Sequence, residues 1–221
     1  IRMFLTDLGQ LGILFAGLFK NSPRIFRDRN LIIEQMIHVG VNSALLIFII
    51  GIFTGAVSSW QAAYQIKGLL PLSTLGSATP KAIIIELGPV LAGLVLAGRI
   101  GASMAAELGT MKVTEQIDAL EAMAIDPVRY LALPRIIATT FMLPILVIYA
   151  SAIAIFGSYL VAVLFLDVSS DSFLTNFRKS FELKDVFAAI TKALFFGAAI
   201  SSIGCLVGFQ TRGGAEGVGL S

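Results

Sequence analysis

The chain has 221 residues, of which 57% are hydrophobic and only 14% charged, and its formal net charge is +2. Mean hydropathy is +0.89, whereas soluble domains carry about 45–50% apolar and about 25% charged residues. That composition excludes an ordinary water-soluble domain. The single cysteine, Cys205, excludes an intrachain disulfide, and the lone His38 cannot build a metal site by itself.

The charges are clustered, and the gaps between them set the predicted elements. Residues 1–38 are expected to lie on the membrane surface rather than cross it. Phe4, Leu8, Leu11, Phe15 and Leu18 fall on one helical face. The apolar stretch Leu8–Phe19 is too short for a span but suits an interfacial helix. Asn21-Ser22-Pro23 breaks it, and Arg24, Arg27 and Arg29 follow as a basic cluster suited to anionic headgroups. No cleavable signal sequence is expected, because no small-residue cleavage site follows. The chain begins at Ile1 and stops in a glycine-rich, loop-like run, and is read as part of a longer protein.

Residues 39–221 are expected to form the transmembrane domain. Val39–Ile66, Ile136–Leu166 and Ala193–Thr211 carry no charge, and Ala82–Ala106 carries only Glu86 and Arg99. A span needs about 20 predominantly apolar residues. The predicted fold is therefore all-α and polytopic, an interfacial helix followed by four spans. With the N-terminus inside, ten Lys and Arg flank the inner side and five the outer. The positive-inside rule favours that orientation and places the 99–135 connection in the cytoplasm.

Within the second span, Gly93, Ala97, Gly101, Ala105 and Gly109 recur at every fourth position. Gly51/Gly55 and Gly204/Gly208 are shorter versions. Such stripes let membrane helices approach closely, within a subunit or across a dimer. Glu86, five residues after Lys81 and three before Pro89, and Lys192, seven after Asp185, sit where charge is costly. An ionisable residue in a span is expected to face a cavity or a partner. The two are candidates for a polar spot in a substrate cavity or for a mutual ion pair, the plain alternative being that both snorkel to the interface.

The connection between the second and third spans is the most informative segment. Thr114 is expected to cap a helix over about 113–126, with Glu115 in its first turn and Pro127 ending it. Val113, Ile117, Leu120 and Ala124 make an apolar face; Glu115, Asp118 and Glu121 give an acidic edge. Such a helix suits a protein partner better than anionic headgroups. No Gly-x-x-x-x-Gly-Lys-Ser/Thr phosphate loop is present, and Gly109-Thr-Met-Lys is not one. No catalytic residue, metal site or cofactor is expected, and no nucleic-acid partner.

The run from Glu86 to Arg135, ELGPVLAGLVLAGRIGASMAAELGTMKVTEQIDALEAMAIDPVRYLALPR, closely resembles the signature region of MlaE-type permeases, relatives of the YrbE and plastid TGD permeases. The resemblance extends more weakly from the N-terminal amphipathic segment to residues 213–219. It implies the membrane subunit of a lipid ABC transporter: a homodimer, an ATPase under each subunit, a ring of MCE-domain proteins on the outer face, and a small accessory cytoplasmic protein. It implies phospholipid as cargo and the bacterial inner membrane as location, with the plastid inner envelope as the other setting. It assigns coupling to the ATPase to the segment carrying Glu107, Glu115, Gln116, Asp118, Leu120, Glu121 and Met123. Glu86 matches a family glutamate at the lipid cavity and Lys192 a family lysine. The residue before that glutamate is often basic in relatives and is Ile85 here. A fifth span would follow Ser221. A small-solute ABC permease and an ion-coupled transporter or scaffold without an ATPase are the alternatives, the latter using Glu86 and Lys192 as a proton relay.

Overall fold

The computed structural model describes residues 29–211 together with positions 9, 12, 217 and 219. The amphipathic pattern from Phe4 to Leu18, the basic residues Arg24 and Arg27, and most of the glycine-rich end lie outside the described residues. Among those described there is no strand. Among the described residues four helices are long and apolar enough to cross a membrane: α1 (Arg29–Ile66), α2 (Leu72–Val113), α4 (Val128–Phe165) and α6 (Leu183–Gln210). Two shorter helices join them, α3 (Gln116–Ala122) and α5 (Ser170–Ser180). The chain is thus an all-α, multi-pass membrane protein.

Each long helix overruns its uncharged window, since hydrogen-bonded turns continue past the apolar segment wherever nothing breaks them. Residues 29–38, grouped by sequence with the surface segment, belong to the same helix as 39–66. At 1.5 Å per residue α1 is about 57 Å long, well beyond a ~30 Å hydrocarbon core.

The chain divides into two compact units. One comprises the described residues within 1–41, Leu96–Met142 and the described residues within 195–221. Its core includes Ile100, Met104, Leu108, Ala132, Leu133 and Ala138, with Cys205 fully buried. Here α2 and α6 meet through small residues. A Cβ on Gly204 would lie 2.9 Å from the Gly101 carbonyl oxygen, and one on Gly208 would lie 2.6 Å from Leu108 Cβ. Ala97, Gly101 and Ala105 line this seam opposite Ile200, Gly204 and Val207. In a plain α-helix, a residue every fourth position overshoots by about 40° per step. The π turn Ala97–Gly101 winds more slowly and takes back part of that drift, keeping the stripe on α6.

The other unit comprises Asn42–Val95 and Leu143–Leu194. In it α1 crosses α4 at Gly55, where a Cβ would run into the Ala154 carbonyl, and at Gly157, which faces the backbone of Ile52. Ala63, Leu75, Ala162, Val168 and Phe173 form one buried cluster. The connection 167–185 carries a helix of its own. Its α5 is amphipathic, capped by the Ser169 side chain accepting from the Ser172 amide, and it buries Phe173. Phe173 stacks edge-on against Tyr159 at 5.5 Å.

The connecting helix α3 is shorter than expected. Thr114 is not its N-cap: its hydroxyl donates to the Thr110 carbonyl at 2.8 Å, closing α2 instead. Glu115 then turns left-handed at φ 60, and α3 starts at Gln116. Its end comes before Pro127. Ala124 takes φ 57, its amide bonds to Glu121 O and that of Ile125 to Leu120 O, a Schellman closure formed without the usual glycine. Pro127 instead precedes the first turn of α4.

Candidate functional site

Glu86 sits in a π turn of α2, Ile83–Leu87, and Lys192 sits in α6. The Lys192 ammonium donates to Glu86 Oε2 at 2.8 Å and to the Ile85 carbonyl oxygen at 2.8 Å. The second acceptor has a covalent cause. In an α-helix the Ile85 carbonyl would accept from the amide of residue 89, but residue 89 is proline and has no N–H. The lysine donates to a carbonyl whose α-helical donor the proline removes. Pro89 was visible in the sequence; its effect on the carbonyl four residues earlier was the available signal.

The pair is not enclosed by its own chain. The side chain of Lys192 is 37% exposed and that of Glu86 63%. A cavity around them therefore needs a second surface.

Another ionic rung lies at the starts of the same two helices, with Glu182 just before α6. Lys81 bonds Glu182 at 2.8 Å and reaches Asp185 at 3.5 Å. The charges alternate, lysine then glutamate along α2 and aspartate then lysine along α6. Glu182 is also paired with Lys184. The Lys184 ammonium, followed by that of Lys81, holds the Glu182 carboxyl down to about 2. Sequence spacing related Lys81 only to Glu86, so this rung was missed.

The expected coupling residues separate into two groups. Glu107 accepts from Arg135 at 3.1 Å and from Ser103 at 3.0 Å, tying the end of α2 to the start of α4. The Arg135 side chain is buried, and its Nε has no hydrogen-bond partner among the described residues. Glu107 is thus apart from the acidic edge of α3. Around α3, Asp118 pairs with Lys112 at 2.7 Å, Ile117 is buried and Leu120 half-buried. Glu115, Gln116 and Glu121 are exposed, and Met123 is 63% exposed. The free face of α3 is therefore acidic with an apolar end. Of the small-residue set, Ala97, Gly101 and Ala105 lie on the α2–α6 seam, and Gly93 is buried in the other unit. Among the described residues no group of His, Cys, Asp and Glu could hold a metal ion.

Comparison with known proteins gives a consistent picture. The family described as Permease MlaE matches residues 32–221. A probable ABC transporter permease protein of Rickettsia typhi is 40% identical over 190 residues, 86% of this chain and 73% of the relative. A probable ABC transporter permease protein of Synechocystis is 39% identical over 194 residues, 88% and 74%. The intermembrane phospholipid transport system permease protein MlaE of Haemophilus influenzae is 35% identical over 216 residues, 97% and 83%.

Proposed function

Because this chain belongs to the MlaE permease family, we propose that it is the membrane subunit of an ABC transporter that moves phospholipid between the bacterial inner membrane and an MCE-protein conduit. A separate subunit binds and hydrolyses ATP, docking on the exposed face of α3, and two copies of the permease form the translocation unit. The chain itself is a transporter component with no catalytic residue assigned.

The observation that carries this reading is the Lys192 ammonium, held in an apolar helix by Ile85 and Glu86 yet partly exposed. A cation in that setting is costly unless it meets an anion, and a lipid phosphate is the anion a bilayer supplies. Glu86 neutralises the lysine when no phosphate is present and limits how deeply one enters. The second copy supplies the surface that closes the cavity. Phospholipid as cargo is also in keeping with the name of the Haemophilus relative.

A photoreactive residue at position 86 of the permease, in its assembled complex in membranes, should crosslink to phospholipid more strongly than one at exposed Leu45 on α1. Equal labelling at the two positions overturns the lipid-cavity reading.

A further inference from the structure

Two adjoining grooves in the second unit share Trp60 and Phe165. The first, of about 340 Å³, runs between α1 and α4 over Val57, Trp60, Val161 and Phe165. The second, of about 320 Å³, opens onto Lys67 and Asp167. Neither groove contains Glu86 or Lys192.

Three features of this surface point to one occupant. Its depth matches a single leaflet: Val57 to Lys67 covers about 15 Å of helix at 1.5 Å per residue, half of a ~30 Å hydrocarbon core. Its body is aromatic and open, with Trp60 57% and Phe165 68% exposed, as side chains at a membrane interface are. Its rim carries one charge of each sign. Lys67 and Asp167 lie just past the ends of α1 and α4, and neither forms an ion pair with a described residue. A cation and an anion flanking one mouth complement a headgroup that carries both a phosphate and an amine.

We propose that this groove binds one aminophospholipid from the bilayer leaflet at the C-terminal end of α1. An acyl chain lies over Trp60 and Phe165, the phosphate meets Lys67, and the ammonium meets Asp167. A lipid that is anionic and lacks an amine is disfavoured by Asp167. The site is separate from the Glu86–Lys192 pair and does not depend on the transport reading.

Trp60 is the one tryptophan of the 221 residues and serves as the reporter. The full-length permease is reconstituted in phosphatidylcholine vesicles doped with phosphatidylethanolamine or phosphatidylglycerol brominated on one acyl chain. The emission of a Trp60→Phe variant is subtracted. Quenching by the brominated phosphatidylethanolamine should reach its midpoint at about a threefold lower fraction than by the phosphatidylglycerol, the size expected of one exposed charge pair. Asp167→Asn should erase that difference, and Lys67→Gln should weaken both curves; circular dichroism checks that each variant keeps its helices. Identical curves for the two headgroups in the unsubstituted chain would mean bulk lipid contact and overturn the site. Absence of quenching by either lipid would mean that a protein helix covers Trp60, and overturns it equally.

Discussion

The Lys192 ammonium lies 2.8 Å from the main-chain carbonyl of Ile85, the acceptor that Pro89 leaves without an α-helical donor. A lysine bound both to a carboxylate and to a backbone oxygen is not half of a symmetric ion pair. Exchanging the charges, Glu86→Lys with Lys192→Glu, would put an acceptor opposite the Ile85 oxygen. The double reversal should therefore fail to restore lipid capture, as measured by phospholipid retained through purification. Lys192→Met should lower retained lipid severalfold while yield and helicity stay near normal. Full recovery by the reversal would show that the pair is purely structural.

Close approach along the α2–α6 seam depends on Gly204 and Gly208 more than on Gly101. A Cβ on Gly101 meets its nearest neighbour, Ile200 Cγ2, at an ordinary 3.5 Å. On Gly204 it would press a backbone oxygen at 2.9 Å, which cannot rotate away. Gly204→Ala should destabilise by about 1–3 kcal/mol, the usual cost of overpacking, and Gly101→Ala should be nearly neutral. Thermal unfolding of the two variants in one detergent ranks them; equal midpoints would show that the seam yields easily.

Glu107 and Arg135 should respond unequally to substitution. Removing the carboxylate leaves a buried guanidinium uncompensated, while removing the arginine leaves a glutamate that water still reaches. Glu107→Ala should cost about 1–3 kcal/mol, the range for a buried polar group that loses its partner. Arg135→Met should cost less, because its aliphatic part still fills the site. Denaturant or thermal unfolding of both variants measures the order, and the reverse order would refute it.

If α3 seats an ATPase, its exposed residues carry the contact. Asp118 is a poor probe, because lysine there would meet Lys112 as well as the partner. Glu121→Lys and Met123→Asp change only exposed positions. Each should reduce lipid-dependent ATP turnover of the assembled complex by about tenfold or more, the loss expected of an interface hot spot. Membrane insertion should be unchanged. Normal turnover in both variants rules out α3 as the docking helix.

Glu182 gives a pH signature. Its carboxyl is held at about 2 in the folded chain against the usual 4.5. A depressed carboxylate contributes stability above its unfolded value and loses it as pH falls from about 4.5 through about 2. Glu182→Gln should therefore lower the unfolding midpoint at pH 7, less so near pH 2, and make no difference well below it. High salt should shrink the effect at pH 7, since the group is exposed. An effect that persists undiminished near pH 2 would locate its cause outside the ionic rung.

Composition and the uncharged windows were enough to establish an all-α membrane protein with four spans, because a bilayer admits only helices or closed barrels and a helix must be about 20 apolar residues long to cross it. The small-residue stripe and the two charges within long apolar helices were equally legible, since both are departures from an apolar background. The ends of α3 were not. Thr114 and Pro127 have the right chemistry for caps, but α2 claimed the threonine through Thr110 and a left-handed Ala124 closed the helix first. Pairing was beyond one-dimensional reading as well. Lys81 and Glu182, or Glu107 and Arg135, are far apart in sequence, and which charges meet depends on how helices rotate about their axes. That rotation is set by where backbones touch, at Gly55 against Ala154 and at Gly204 against Gly101, and by π turns that shift the phase of one helix within its own length. Local residue chemistry decides what can be buried in lipid; only the packed helices decide which side chains come to face each other.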